Sequence, residues 1–293
     1  MWVSPGILFG LVALFGWGIA DFLAKQVIDR TGDLKAFFWM QLLSMLPFFA
    51  LYFIADGRFA FPLQDYLMFL LISLTGVVGY FLFYKAMKLG DVSVMSPIQA
   101  SNFVVTVILA VIFLKEILVV QQIIAMVFVF TGLVFTGIHY DALRRFRKIA
   151  WLPGVKENAV SACCIGLHLF LIGLMVPKYG WLAPIFFFRV FNVMFLLLYT
   201  HFSRKEVRIT ISKRDRFLYW LFLLIVLFDV AAILGFSLGV NSAYVSIVAP
   251  VAVSFPLVTV TLAAVFYKER LEKIQVAGIL LLISGIVMLS VFS

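Results

Sequence analysis

Ten stretches of this chain run almost without charge for about 18 to 24 residues each, at roughly 3–24, 36–54, 65–84, 92–114, 118–138, 155–175, 183–200, 217–236, 244–267 and 274–292. A hydrocarbon core about 30 Å thick takes roughly 20 apolar residues of helix to cross. In lipid, only an α-helix or a closed barrel satisfies every backbone group. Barrel strands alternate in polarity over about ten residues, whereas these runs are continuous and about twice as long. The pattern specifies an all-α integral membrane protein with ten transmembrane helices. Composition agrees: 65% of residues are hydrophobic and 13% charged, against about 45–50% and 25% in soluble domains. A water-soluble globule would lack the polar surface to cover itself, and the same figures exclude disorder, collagen and a disulfide scaffold.

The connections are short. The longest are His139–Lys156 and His201–Arg216, and neither has room for a soluble catalytic domain. No GxxxxGK[ST] phosphate loop occurs, so nothing points to a nucleotide-driven pump. The net charge of +9 comes from basic residues gathered between the apolar runs, which is the pattern of loops facing a membrane surface, not of a nucleic-acid binder. Cys163 and Cys164 are adjacent inside an apolar run and read as small packing residues. The first run starts almost at Met1 without a basic leader segment or a small-residue cleavage site, and is expected to stay as the first transmembrane helix. The three histidines and two adjacent cysteines offer no metal-ligand spacing, and no cofactor is expected.

The chain repeats itself. Displaced by 153 residues, VSVMSPIQASNFVVTVILAVIFLKEIL from Val92 falls on VSIVAPVAVSFPLVTVTLAAVFYKERL from Val245. Pro97 meets Pro250, Ser101 meets Ser254, Thr106 meets Thr259, Gln122 meets Gln275 and Gly132 meets Gly285, with roughly 16 of 46 ungapped positions identical. A period of this length spans five helices. An odd number inserts the second copy upside down, giving two five-helix units, 1–145 and 146–293, around a site at mid-depth. Two oppositely oriented halves have an evident use in transport and none in an enzyme or a receptor.

These features resemble the ten-helix EamA branch of the drug/metabolite transporter superfamily. The resemblance rests on the five-plus-five repeat and on the polar, small-residue starts VSVMSPIQA and VSIVAPVAV of the fourth and ninth helices. It rests also on the closing FLKE and FYKE with a following Gln and Gly, and on FGWGIADFLAK in the first helix. It covers essentially the whole chain. Lys115 and Lys268 depart from it, standing where the family often has a small residue. The resemblance implies a secondary transporter or exporter of small metabolites, commonly amino acids. It implies a cavity formed by helices 1, 3, 4 and 6 with 8 and 9, and helices 5 and 10 outside, packed on each other or on a partner, as in a homodimer. Orientation is in conflict. About 19 basic residues lie on the side opposite the termini and only Arg58, Lys115 and Lys178 on the same side. The positive-inside rule thus puts both termini outside, whereas the family implies them inside.

Charge inside a span costs roughly 2.5–3.5 kcal/mol on insertion scales and marks function by default. Asp229 sits in the eighth run between LFLLIVLF and VAAILGF; it either binds a substrate ammonium or a coupling proton, or bonds a neighbouring helix. Arg189 either clamps a carboxylate, pairs with Asp229, or snorkels to headgroups. Trp17, Asp21 and Lys25 share one face of the first helix, where an Asp21–Lys25 pair would sit at a cavity mouth or at the wet helix end. Gln99 and Asn102 lie on one face and have no counterpart in the second half, where Ala252 and Phe255 stand. Asymmetry of this kind is where recognition is expected. The shared Pro97 and Pro250 read as scaffold kinks, and Pro256 adds a second bend and a candidate gate. His168 titrates near neutral pH in water and is either functional or a satisfied core residue. Tyr80 and Tyr84 line the cavity or join the interfacial belt. Asn192 reads as interhelical bonding, and Glu116 and Glu269 as caps of helices 5 and 10 or partners of the adjacent lysines.

The reading that combines these is a secondary transporter, exporting amino acids or similar zwitterions through a plasma (inner) membrane by alternating access, with protons as a candidate coupling ion. A sugar, nucleotide-sugar or phosphate-ester antiporter of the same fold would need several cavity cations. A lipid-handling protein or intramembrane enzyme would need a reactive constellation, and a non-transporting scaffold would have no use for charges in its spans.

Overall fold

The computed structural model describes residues 4–55, 57, 59–137, 153–209, 216–266 and 271–292. Among them every regular element is helical. The spans are α1 Pro5–Thr31, α2 Asp33–Ala55, α3 Leu63–Leu89, α4 Val92–Leu114, α5 Val120–Thr136, α6 Val155–Tyr179, α7 Leu182–Ser203, α8 Arg216–Ser242, α9 Val245–Phe266 and α10 Lys273–Val291. Nine of these are long and apolar enough to cross a membrane; α5, at 17 residues, is shorter. The chain is thus a multi-pass integral membrane protein.

α4 and α9 are each broken in the middle, at equivalent places. α4 turns at Ser101 and its last turn, Ala110–Leu114, widens to a π-helix. α9 turns over residues 253–255 and resumes at Pro256. Proline has no N–H to give the preceding turn, so Pro97 and Pro250 leave carbonyls without a helical donor. Hydroxyls of the break residues bond back locally: Ser101 Oγ donates to Ile98 O at 2.7 Å, and Ser254 Oγ to Pro250 O at 2.7 Å. Pro256 occupies the first turn of the resumed helix, where proline costs nothing.

The packing shows the inversion directly. The first half of α4 meets the second half of α9, and the first half of α9 meets the second half of α4, so the two equivalent helices run antiparallel. α5 and α10 pack on each other in the same way. A Cβ at Gly132 would lie 2.8 Å from Gly278 O, and one at Gly285 would lie 2.8 Å from Ala125 O. Residues 125 and 278, like 132 and 285, are equivalents across the 153-residue offset, so these two contacts are one contact repeated by a two-fold. Only glycine permits backbones this close. Thr106 Oγ1 donates to Gly166 O in α6 at 2.9 Å, and its equivalent Thr259 Oγ1 to Gly18 O in α1 at 3.0 Å. The fold is a five-plus-five inverted repeat.

Two aromatic and aliphatic packings lie towards the ends of the bundle. One joins Tyr52 and Phe186, stacked at 4.0 Å, with Phe69 and Phe187 at 4.5 Å. It sits beside an ion pair of Asp65 with Lys178 at 2.7 Å, to which Tyr179 adds a hydroxyl at 2.5 Å. The other gathers Phe37, Phe81, Tyr84, Phe222 and Met87.

Candidate functional site

Between these packings lies a polar centre. Arg189 projects from α7 inward and is 2% exposed, so it does not snorkel. Its Nη2 donates to Asp229 Oδ2 of α8 at 2.6 Å, and its Nη1 to Gln41 Oε1 of α2 at 2.7 Å. The guanidinium faces the rings of Phe48 and Phe188 at 5.7 and 5.2 Å, a geometry that suits the planar cation. α1 and α2 correspond to α6 and α7 at an offset of 148, at which Gly18 matches Gly166 and Gln41 matches Arg189. The Gln41–Arg189 bond therefore joins equivalent positions across the two-fold. Gln41 was not among the expected site residues, although a lone amide in AFFWMQLLSML that aligns with an intramembrane arginine is a readable signal.

Two adjoining narrow cavities flank this centre, with volumes of about 30 and 20 Å³. Each has room for roughly two waters. Trp17, Asp21 and Tyr80 line both. Gln99, Asn102, Val253 and Phe255, which adjoin the two helix breaks, line the first. Gln41, Tyr84 and Asp229 line the second. The walls thus come from α1, α3, α4, α6, α8 and α9, with α2 added to the set that the resemblance implies. Tyr80 and Tyr84 belong to the walls, not to an interfacial belt, and Tyr84 donates its hydroxyl to Met40 Sδ at 2.9 Å.

Several expected roles are corrected. Lys25 does not pair with Asp21. It reaches Asp29 at 3.1 Å and the end carbonyl of Met87 at 2.6 Å, as a cation closing the C-terminus of α3. Asp21 instead faces the cavities, and among the described residues it has no ion pair. Glu116 does not cap α5: its carboxylate accepts from the backbone N–H groups of Val245 and Ser246 at 3.1 and 3.0 Å, capping α9 across the repeat. α5 and α10 are capped by Gln122 and Gln275, which accept from Val119 and Glu272 N–H at 3.0 Å each. Glu269 lies outside the described residues.

His168 is buried and lines neither cavity. Its Nδ1 lies 2.8 Å from Ile72 O, which only accepts, so Nδ1 carries the proton and Nε2 is bare. The ring packs on Phe188 at 4.5 Å and against Gly76. Gly76 is the equivalent of Asp229, so at the matching place in the first repeat an imidazole and a phenyl ring fill the space that the carboxylate takes in the second. Asn192 is fully buried, with neither amide atom bonded among the described residues. Pro97, Pro250 and Pro256 mark the helix breaks beside the first cavity. Cys163 and Cys164 are unbridged, and no group of residues able to hold a metal occurs among the described residues.

Inverted five-helix repeats around a buried charged centre define a polytopic membrane transporter. The chain belongs to the EamA-like transporter family, which matches residues 4–138 and 158–291, one match to each repeat, and so to the drug/metabolite transporter superfamily. An uncharacterized protein of Methanocaldococcus jannaschii is 27% identical over 138 residues, which are 46% of this chain and 98% of that one. That relative is thus about as long as a single repeat. A solved crystal structure superposes on 100% of both chains with a TM-score of 0.70 at 13% identity, a likeness of fold alone.

Proposed function

We propose that this protein is a secondary transporter that exports small metabolites carrying an amino group, amino acids and similar zwitterions among them. It does so by alternating access, as the two inverted repeats rock about the polar centre. The observation that carries the reading is the buried Arg189–Asp229–Gln41 cluster on the two-fold, flanked by cavities that both repeats line. Charge is retained in mid-span only where it is compensated or used, and here it adjoins space. The broken helices α4 and α9 are the gating elements in this reading, with Pro97, Pro250 and Pro256 fixing where they bend. Asp21 and Asp229 are the candidate proton carriers, and the reading assigns no enzymatic step. The cavity walls favour it over a sugar-phosphate or nucleotide-sugar antiporter, which needs cations where these walls carry carboxylates.

The assay is flux of labelled amino acids in proteoliposomes with and without a pH gradient. The expected result is saturable uptake that the gradient drives and that Asp229→Asn uncouples. Unchanged flux in Asp229→Asn across the pH range ends its coupling role, and absence of flux for every small metabolite tried ends the transport reading. We further assign the division between the units to 145/146, which falls outside the described residues, and the location to a plasma membrane.

A further inference from the structure

We propose that the central site recognises an ammonium group joined to an apolar body, and that a substrate carboxylate is dispensable for binding. This rests on the transport reading for there being a substrate, and narrows its class.

The first cavity straddles the two-fold, and six of its ten lining residues are equivalents across it: Trp17 with Ile165, Asp21 with Leu169, and Asn102 with Phe255. In every pair the first-repeat residue carries a polar group and the second-repeat residue is a hydrocarbon. One wall is therefore polar and the facing wall apolar. A molecule admitted here when the two repeats part meets both walls at once, and matches them with a polar head and an apolar body.

The sign of the head follows from the charges. Asp21 and Asp229 line the cavities, and among the described lining residues there is no Lys, Arg or His. Arg189 is held behind the wall, with its two amino groups on Asp229 and Gln41 and its faces between phenyl rings. Its Nε has no partner among the described residues, but the side chain lines neither cavity.

Unpartnered polar atoms give the same answer independently. Trp17 Nε1, Gln99 Nε2 and Asn102 Oδ1 have no partner among the described residues, on side chains only 7%, 2% and 2% exposed. Ser161 Oγ lies 2.6 Å from Gly79 O and 2.8 Å from the Gln99 amide. A hydroxyl has one proton and a carbonyl only accepts, so Ser161 satisfies both neighbours by donating to Gly79 and accepting from the amide NH2 of Gln99. That turns the Gln99 carbonyl oxygen to the cavity. The cavity then offers the Asp21 carboxylate, Asn102 Oδ1 and the Gln99 oxygen as acceptors, beside the donors of Trp17, Tyr80 and the Asn102 amide. A primary ammonium has three N–H donors and no acceptor. A carboxylate would lie against Asp21, which has no ion pair among the described residues, with no lining cation to offset it.

Four probes decide it, titrated calorimetrically into the full chain in detergent micelles. Phenethylamine has the amine and the ring, phenylalanine adds a carboxylate, hydrocinnamate has the carboxylate and ring without the amine, and ethanolamine has the amine without the ring. Phenethylamine is expected to bind tightest, phenylalanine and ethanolamine roughly tenfold or more weaker, and hydrocinnamate not at all. Asp21→Asn should weaken phenethylamine roughly 10–100-fold, with Asp21→Glu retaining binding. The proposal is overturned if phenylalanine or hydrocinnamate binds as tightly as phenethylamine, if ethanolamine matches it, if none of the four binds, or if Asp21→Asn changes nothing. Should Asp21→Asn fail to fold, the four probes on the unaltered chain decide the matter alone. Amine binding without flux of any substrate sinks the transport reading and leaves this one. Flux of zwitterions without amine binding does the reverse.

Discussion

Arg189 shows how a full charge is kept in the middle of a span. Its carboxylate partner, its amide partner and its two ring contacts come from α8, α2, α2 and α7 in turn. Removing one member of a buried pair leaves the other uncompensated, at a cost of about 3–5 kcal/mol, whereas replacing both with hydrocarbon is often close to neutral. Arg189→Met alone should therefore destabilise the protein in detergent by about 3 kcal/mol. Arg189→Met with Asp229→Leu should recover most of that loss. Reversible unfolding of the single and double variants measures the coupling; strictly additive losses would mean that the 2.6 Å contact contributes nothing. Most of these residues were legible as intramembrane polar groups. Their partners were not: Lys25 shares a helix face with Asp21 but turns to the carbonyl ends of α3, because bare carbonyls compete for a cation as well as a carboxylate does.

At the scale of elements, the ends of α4 and α9 carry the informative detail. Lys115 follows the π-turn with φ 55°, in the left-handed region. There a Cβ approaches the following carbonyl and costs about 1–2 kcal/mol, which glycine avoids. That is a physical reason for the small residue often found here in the family. Lys115→Gly should raise stability by about 0.5–1 kcal/mol, after the extra chain entropy of glycine is set against the relieved clash. A thermal melt in detergent checks it, and a lowered melting temperature would count against strain at this position. The same turn delivers Glu116 to the N-terminus of α9, where a carboxylate meets two free N–H groups and the positive end of the helix. The acid was visible in FLKE, but spacing along the chain pointed it to the next helix, and only packing of one repeat against the other sends it to α9.

For the molecule as a whole, the repeat fixes that both termini lie on one side, and the charges say which. Lys25, Lys88, Lys156, Arg204 and Arg216 lie at one end of the bundle, and Lys115 and Lys178 at the other. Translocation keeps the Lys- and Arg-rich end cytoplasmic. We therefore expect both termini outside. A C-terminal alkaline phosphatase fusion in a bacterial inner membrane should be active and a green fluorescent protein fusion dark; the opposite pair of results would reverse the orientation.

The number of spans, the inversion, the helix breaks and the short list of buried polar residues all follow from local sequence. Apolar run length, proline and the 153-residue period act within a helix or between copies of one. Which acid is paired and which is open, and that polar and apolar walls face each other across the two-fold, were decided only by tertiary structure. Those facts depend on side chains from helices far apart in the chain competing for the same few donors in a space where water cannot substitute.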